Sequence, residues 1–145
     1  MKTYALSLKQ PWATLLVHGL KTIEVRRWPT PRRGRILIHA ARIPDERKQG
    51  WDALPAELCE QAKLVGGFIG AATLVDCRVY KNADDFNRDG ACHLNAPDWW
   101  QGPVLYGFTF TAAELLPFRK YSGWMRFFPV LDAVPERASA QRRDL

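Results

Sequence analysis

The feature that most constrains the fold is a change of periodicity at Gly19. On its N-terminal side, apolar side chains recur at helical spacing over residues 12–18. On its C-terminal side the period becomes two, so that Glu24 and Arg26 share one face of a strand. Glycine readily adopts the left-handed conformation in which many helices end. The sequence therefore predicts a short helix that is followed at once by a strand.

Other segments have the apolar alternation or the aliphatic content of strands. They are residues 4–8, 35–41, 68–80, 104–111 and 126–131. A helix is predicted to begin near Pro55, and a short helix near residues 84–86, within the polar segment 81–103. Together these elements predict an α+β fold, a small mixed or antiparallel β-barrel of five or six strands with two or three flanking helices.

Length and composition are those of one globular unit. The 145 residues are 47% hydrophobic and 25% charged, which suits a single core. We predict one domain over residues 1–132 and a polar C-terminal tail over residues 133–145. The sequence has neither a membrane-spanning apolar run nor a secretory signal, so we expect a cytoplasmic protein. Three cysteines without paired spacing predict no disulfide framework and no metal site, and no cofactor is expected.

Positive charge is concentrated in one short region. The net charge is +6, and between residues 19 and 35 six cations accompany a single anion, Glu24. The cations are Lys21, Arg26, Arg27, Arg32, Arg33 and Arg35. A local field of this kind attracts polyanions through phosphate contacts, although a solvated, arginine-rich hairpin would have the same composition.

Three consecutive motifs carry a resemblance to a known family. They are LKQPWA at residues 8–13, GLKTIEVR at 19–26 and RGRILIHA at 33–40. The middle motif contains a Gly-x-Lys-x-x-Glu-x-Arg run after a helix that starts with Gln-Pro. This order closely resembles the ASCH domain family, and a weaker similarity is found at residues 106–108 and 117–130.

The resemblance implies a PUA-like β-barrel with a cleft beside the first helix. It also implies a function, because the family is associated with binding of RNA or other nucleic acids. One branch of small bacterial members hydrolyses the amide of N4-acetylcytidine, and ribonuclease activity has been attributed to another. The amidohydrolase branch has a threonine where this chain has Glu24, and a glutamate on a later strand; the corresponding strand here, residues 68–74, contains Gly70 and no carboxylate. Only its lysine is matched, by Lys21.

The candidate catalytic residues are Lys21 and Glu24. Lys21 could bind a phosphate or transfer a proton, and the alternative is a surface lysine. Glu24 could accept the exocyclic amine of a base or act as a general base, and the alternative is a structural ion pair with Arg26. The candidate ligand-binding residues are Lys9, Gln10, Lys21, Thr22, Glu24, Arg26, Trp28, Arg32, Arg33 and His39.

The aromatic and histidine candidates each have a structural alternative. Trp12 is favoured as a core anchor, whereas Trp28 is favoured for stacking on a base. The pair Trp99 and Trp100 is predicted to form a lid over apolar surface, with base stacking as the alternative. His39 is favoured as a hydrogen-bonded structural residue over a general base.

Three functions follow from these residues, and binding is favoured. The first is a non-catalytic module for RNA, other single-stranded nucleic acid or a modified nucleoside. The second is a hydrolase acting on a modified nucleoside such as N4-acetylcytidine. The third is a ribonuclease using Lys21, Glu24 and His39. All three require the lysine, the acid and the arginine after the first helix to converge on one cationic cavity.

Overall fold

The structure, a computed structural model, describes residues 2–131. The six strands are β1 (Tyr4–Leu8), β2 (Ile23–Arg26), β3 (Gly34–Ala40), β4 (Gly67–Tyr80), β5 (Leu105–Lys120) and β6 (Phe127–Pro129). The helices are α1 (Trp12–Val17), α2 (Lys48–Ala53), α3 (Ala83–Arg88) and α4 (Gly90–His93), with 3-10 turns at Ala56–Leu58, Gln61–Lys63 and Pro97–Trp99. The predicted tail over residues 133–145 lies outside the described residues.

All six strands form one mixed sheet in the order β2-β5-β4-β3-β1-β6. The pairs are antiparallel except that β1 runs parallel to β3. The long strands β4 and β5 form the centre of the sheet, and their register shifts at several bulges allow it to bend. The predicted mixed α+β class is therefore confirmed.

The predicted closure of this sheet into a barrel is wrong. Strands β2 and β6 are its two edges, and no ladder of hydrogen bonds joins them within residues 2–131. Pro29 and Pro31 follow β2 and have no amide hydrogen with which to extend that strand. The Trp28 ring instead packs edge-on against Phe127 of β6, at 5.7 Å between ring centroids. The edges thus approach each other through side chains rather than through backbone pairing.

Helix α1 lies directly on the sheet. Every residue of α1 is buried, and its apolar side chains enter the main core together with residues of β1, β3, β4 and β5. At Gly70 of β4, an added Cβ would lie 2.7 Å from the Val17 Cγ1 atom and 2.4 Å from the Glu114 carbonyl oxygen. Only a residue without a side chain permits this close approach of helix and strand.

The end of α1 determines where Lys21 lies. Gly19 has φ +76°, as its position in the sequence predicts. The amides of Leu20 and Lys21 both donate to the Leu15 carbonyl oxygen, at 2.9 and 3.1 Å. The chain is thereby folded back onto the end of the helix, and the Lys21 side chain enters the interior instead of solvent.

The helix predicted to begin near Pro55 is not formed. An α-helix ends just before it at Ala53, and only two 3-10 turns follow. Proline disfavours helical conformation in the residue before it, and Leu54 is accordingly extended, with φ −81° and ψ 123°. None of the helices in residues 2–131 has the length and apolar composition needed to cross a bilayer.

Candidate functional site

A cavity of about 340 Å³ lies beside α1 and β2, and we call it the central cavity. Its charged lining consists of Lys9, Lys21, Glu24, Arg26, Asp45 and Arg47. Ser7 and Asn95 add polar groups, and Trp12 and Trp99 add aromatic walls. Its volume is at the lower end of the range of about 300–1,000 Å³ that holds small ligands.

Three charged groups form a connected chain along this lining. The Arg26 Nε atom donates to Glu24 Oε2 at 2.9 Å, and Lys21 Nζ lies 3.5 Å from Glu24 Oε1. Arg26 Nη2 also donates to the Ser7 carbonyl oxygen at 2.9 Å, which ties β2 to β1. The structure therefore brings together the lysine, the acid and the arginine that the sequence identifies.

Lys21 is the most deeply buried of these charges, with 2% of its surface exposed. Burial lowers the pKa of its ammonium group, and the neighbouring Glu24 carboxylate partly offsets this effect. Its Nζ atom donates to the His93 carbonyl oxygen at 2.6 Å. An ammonium group has three donors, and these two neighbours engage at most two of them. Lys21 therefore keeps a donor that a bound molecule can use.

Asn95 contributes an acceptor to the same cavity. The residue is 8% exposed, and its Oδ1 atom is buried without a hydrogen-bond partner among the described residues. Its backbone amide donates to the His93 Nδ1 atom at 3.0 Å, which fixes the position of the residue. Because an unpaired buried carbonyl is costly, this atom is suited to an N–H donor of a ligand.

Asp45, in contrast, has both carboxylate oxygens engaged in hydrogen bonds within the protein. Its carboxylate accepts hydrogen bonds from the Trp12 Nε1 atom at 2.9 Å and from the backbone and side chain of Arg47. Burial raises the pKa of Asp45, but the hydrogen bonds from Arg47 and Trp12 outweigh it and lower the pKa to about 2. Asp45 therefore orients Trp12 and Arg47 rather than offering a free base.

The aromatic wall combines rings with cations. Trp12 and Trp99 pack edge-on at 5.9 Å between ring centroids. The Arg47 guanidinium lies over the Trp99 ring at 3.9 Å, and Lys21 Nζ lies 4.7 Å from the Trp12 centroid. The Trp99 indole also donates to the side chain of Gln49. These contacts hold flat surfaces next to positive charge, an arrangement suited to a base and its phosphate.

Two candidates from the first motif have different surroundings. Lys9 is exposed at the rim of the central cavity. Gln10 is fully buried, with its Oε1 atom accepting from the Thr14 amide and its Nε2 atom donating to the Leu64 carbonyl oxygen. Gln10 therefore has hydrogen-bond partners at both ends of its amide and supports the start of α1.

The other candidates lie away from the central cavity. Trp28 and Arg32 line a separate recess, where the Arg32 guanidinium stacks over Tyr4 at 3.6 Å. Arg33 donates to backbone carbonyls of its own loop. Thr22 joins its neighbours through backbone hydrogen bonds. His39 lines a second, larger hollow, and its Nδ1 atom shares a hydrogen bond of 2.9 Å with Ser7 Oγ.

Comparison with known proteins identifies the family. The ASCH domain model matches residues 6–124, which is most of the chain. The chain belongs to the ASCH domain family. That family is associated with RNA binding, which agrees with the function class that the sequence predicts.

Similar proteins support the assignment at two levels. A segment of 37 residues, 26% of this chain, is 57% identical to Activating signal cointegrator 1 of mouse and of human. It spans only 6% of the length of those proteins. The fold is similar to the crystal structure of ASCH from Zymomonas mobilis, with a TM-score of 0.65 at 18% identity over 99% of this chain and 95% of that one. The crystal structure of a tyrosine-to-phenylalanine variant of that protein has a TM-score of 0.66 at 18% identity, over 100% of this chain and 99% of that one.

The central cavity of this ASCH domain contains residues that the sequence does not single out. Asp45 and Arg47 come from the loop before α2, and Asn95 comes from the segment 81–103, which has no local motif. Trp99 is identified in the sequence, but chiefly as a lid. Within residues 2–131, no three His, Cys, Asp or Glu side chains cluster in a way that could hold a metal ion.

Two buried histidines predict acid sensitivity. Burial lowers the pKa of His39 and of His93 below the usual 6.5. The His93 Nε2 atom faces the Phe86 carbonyl oxygen, and its Nδ1 atom accepts from the Asn95 amide. Protonation of Nδ1 would therefore place its N–H group against the N–H group of Asn95. Below pH 6.5 the unfolded chain therefore binds more protons than the folded chain.

We accordingly expect the free energy of unfolding to be highest above pH 6.5 and to fall as the pH drops from 6.5 towards the two folded-state pKa values. The slope is at most about 1.4 kcal/mol per pH unit for each histidine. Urea unfolding at pH 7.5, 6.5 and 5.5 measures the change in the free energy of unfolding. Titration of the ring resonances in NMR spectra shows which histidine is responsible. Equal stability at pH 7.5 and 5.5 would contradict the expectation.

Proposed function

We propose that this ASCH domain binds single-stranded RNA by admitting one nucleobase into the central cavity. The observation that carries the proposal is the buried Lys21, linked through Glu24 to Arg26 at the edge of an aromatic-walled cavity. Unpaired bases are recognised by stacking and by hydrogen bonds to their edges, while phosphates are held by cations. The central cavity offers all three kinds of contact.

The polar groups favour a base that both donates and accepts hydrogen bonds. Glu24 and the unpartnered Asn95 Oδ1 atom are acceptors, whereas Lys21 and Arg26 are donors. Carboxylates pair with the exocyclic amine of cytosine, and its ring nitrogen and carbonyl oxygen accept from cations. Uracil has no exocyclic amine. The proposed ligand is therefore a cytosine, or another amine-bearing base, in a single strand.

Hydrolysis of N4-acetylcytidine and RNA cleavage are the alternative functions. Taking up a proton would disrupt the pairing of the Glu24 carboxylate with Arg26 and Lys21, whereas accepting one more hydrogen bond from a base uses a remaining lone pair and keeps that pairing. The only acid of β4, Asp76, does not line the central cavity, and neither does His39. These positions favour binding over catalysis.

Binding of labelled oligonucleotides tests the proposal. We expect oligo-C RNA to bind at least about fivefold tighter than oligo-U RNA of equal length, because one good contact to a base edge discriminates by about 1–3 kcal/mol. Fluorescence anisotropy at one fixed salt concentration measures both affinities. A second series at increasing salt should show the steep loss of affinity that phosphate contacts produce.

Glu24→Gln is the informative variant for base choice. It keeps the shape of the side chain but adds a donor where the exocyclic amine would bind, so the preference for oligo-C should disappear. Glu60→Gln is the matched control, because Glu60 is an exposed acid that pairs with Lys63 and does not line the cavity. Equal binding of oligo-C and oligo-U by the unaltered protein would contradict the assignment of the base. Release of acetate from N4-acetylcytidine would show that the protein is a hydrolase and would contradict the proposal of a binding function.

A further inference from the structure

The central cavity shares lining residues with two neighbouring hollows. It shares Ser7 and Ala41 with a hollow of about 1,010 Å³, which we call the Trp124 hollow. It shares Val25, Arg26, Arg47 and Trp99 with a hollow of about 420 Å³, which we call the Arg27 hollow. Because different residues are shared with each hollow, the two hollows adjoin the central cavity at different places, and we call the three spaces together the groove.

The Trp124 hollow has the chemistry of a second nucleotide site. Trp124 is 70% exposed, and the exposed cations Arg42 and Lys120 line the same hollow. Within residues 2–131 no acid lines this hollow, and neither cation forms an ion pair with another described residue. An exposed indole next to unpaired cations is suited to a base with its phosphate.

The loop that carries Trp124 is held against the sheet. An added Cβ at Gly123 would lie 2.6 Å from the His39 Cε1 atom, so the backbone of the loop rests on the histidine ring. His39 in turn is fixed by Ser7 Oγ at 2.9 Å and by the Tyr121 carbonyl oxygen at 2.7 Å. His39 therefore supports the loop that carries Trp124.

The Arg27 hollow extends the positive charge on the other side. Arg26, Arg27 and Arg47 line it, and Asp98 is the one acid among the described residues that do so. Arg27 is exposed and forms no ion pair with another described residue. Cationic side chains thus occur in all three spaces, which is the distribution expected for a site that follows a polyanionic backbone.

We propose that the groove binds a continuous segment of single-stranded RNA, with one base in the central cavity and the next stacked on Trp124. This inference rests on the proposed function and extends it from a single base to a strand. An apolar surface for a protein partner would not need cations in each space, and the charge distribution therefore favours a nucleic acid as the occupant.

The test compares cytidine monophosphate with an oligo-C nonamer. Trp124→Ala should weaken nonamer binding about fivefold to a hundredfold, the range that removal of one stacked base produces. It should leave binding of the monophosphate unchanged, because Trp124 does not line the central cavity. Arg42→Ala combined with Lys120→Ala should also reduce the salt dependence of nonamer binding by roughly one unit of slope for each phosphate that is no longer neutralised.

The control variants are Ile43→Ala for the exposed apolar side chain and Arg88→Ala for the exposed cation, since neither residue lines the groove. Both should bind the nonamer like the unaltered protein. If Trp124→Ala also binds it with full affinity, the extended groove is refuted while the central site stands. If the unaltered protein binds neither ligand, the proposed function and this inference are both refuted.

Discussion

Replacing Lys21 by methionine should weaken RNA binding about a hundredfold and leave the fold intact. Hydrogen bonds to a charged group contribute about 1.5–3 kcal/mol, and methionine offers neither the charge nor the donor. The side chains are similar in length, so the space beside Trp12 stays filled. Met leaves the His93 carbonyl oxygen unpaired, and removal of a desolvated ammonium offsets only part of that cost, while Glu24 keeps its bond with Arg26; we expect the free energy of unfolding to fall by about 1–2 kcal/mol.

Lys63→Met is the matched control, because Lys63 pairs with Glu60 on the surface and lies away from the cavity. Anisotropy titrations with oligo-C RNA and urea unfolding should be run on both variants. Full affinity in Lys21→Met would mean that the ligand does not reach the floor of the central cavity. Loss of affinity in Lys63→Met as well would point to bulk charge rather than to a site.

The largest loss of stability is expected from Gly70→Ala. The new Cβ would lie 2.4 Å from the Glu114 carbonyl oxygen, a backbone atom that cannot rotate away, and 2.7 Å from the Val17 side chain. Overpacking of this kind costs about 1–3 kcal/mol when neighbours can adjust, so we expect about 3 kcal/mol here. Urea unfolding monitored by tryptophan fluorescence measures the change.

Gly90→Ala is the comparison that isolates crowding from the general effect of replacing glycine. A Cβ at Gly90 meets no atom within 4 Å, and the residue begins α4, where alanine is favourable. We expect its free energy of unfolding to equal or slightly exceed that of the unaltered protein. If the two alanine variants were equally stable, α1 could not be seated so closely on β4.

Local signals explain which parts of the fold were predictable. The junction of α1 and β2 follows from a change of period and a glycine, both contained in a few residues. Closure of the sheet depends on whether two edges distant in sequence pair, and the packing of Trp28 on Phe127 replaces that pairing. The predicted strand over residues 104–111 also ends too early, because β5 continues to Lys120 beyond a register shift near Ala112, which has φ +52° and where the pairing with β4 is irregular.

The same distinction holds for the site. Lys21, Glu24 and Arg26 lie within six residues, so alternation alone places the last two on one strand face. Asn95 lies about seventy residues after Lys21 in the sequence. The two residues line the same cavity because α4 binds Lys21 through the His93 carbonyl oxygen, and no local sequence pattern indicates this proximity. His39 is separated from the central cavity because its ring turns to the other side of Ser7, into the Trp124 hollow.

The tie between Lys21 and the segment 81–103 has a consequence for how such a domain can diversify. The segment is attached to β4 through the Asp89 carboxylate, which accepts from Arg78 and Tyr80. Beside the cavity it is attached through the His93 carbonyl oxygen, which accepts from Lys21, and the Cys92 carbonyl oxygen, which accepts from the Thr22 amide. The two attachments beside the cavity use backbone acceptors, which any amino acid supplies. Substitution of side chains that face the ligand, such as Asn95 and Trp99, therefore leaves these two hydrogen-bonded attachments in place. New ligand selectivities can evolve in this way while the fold stays the same.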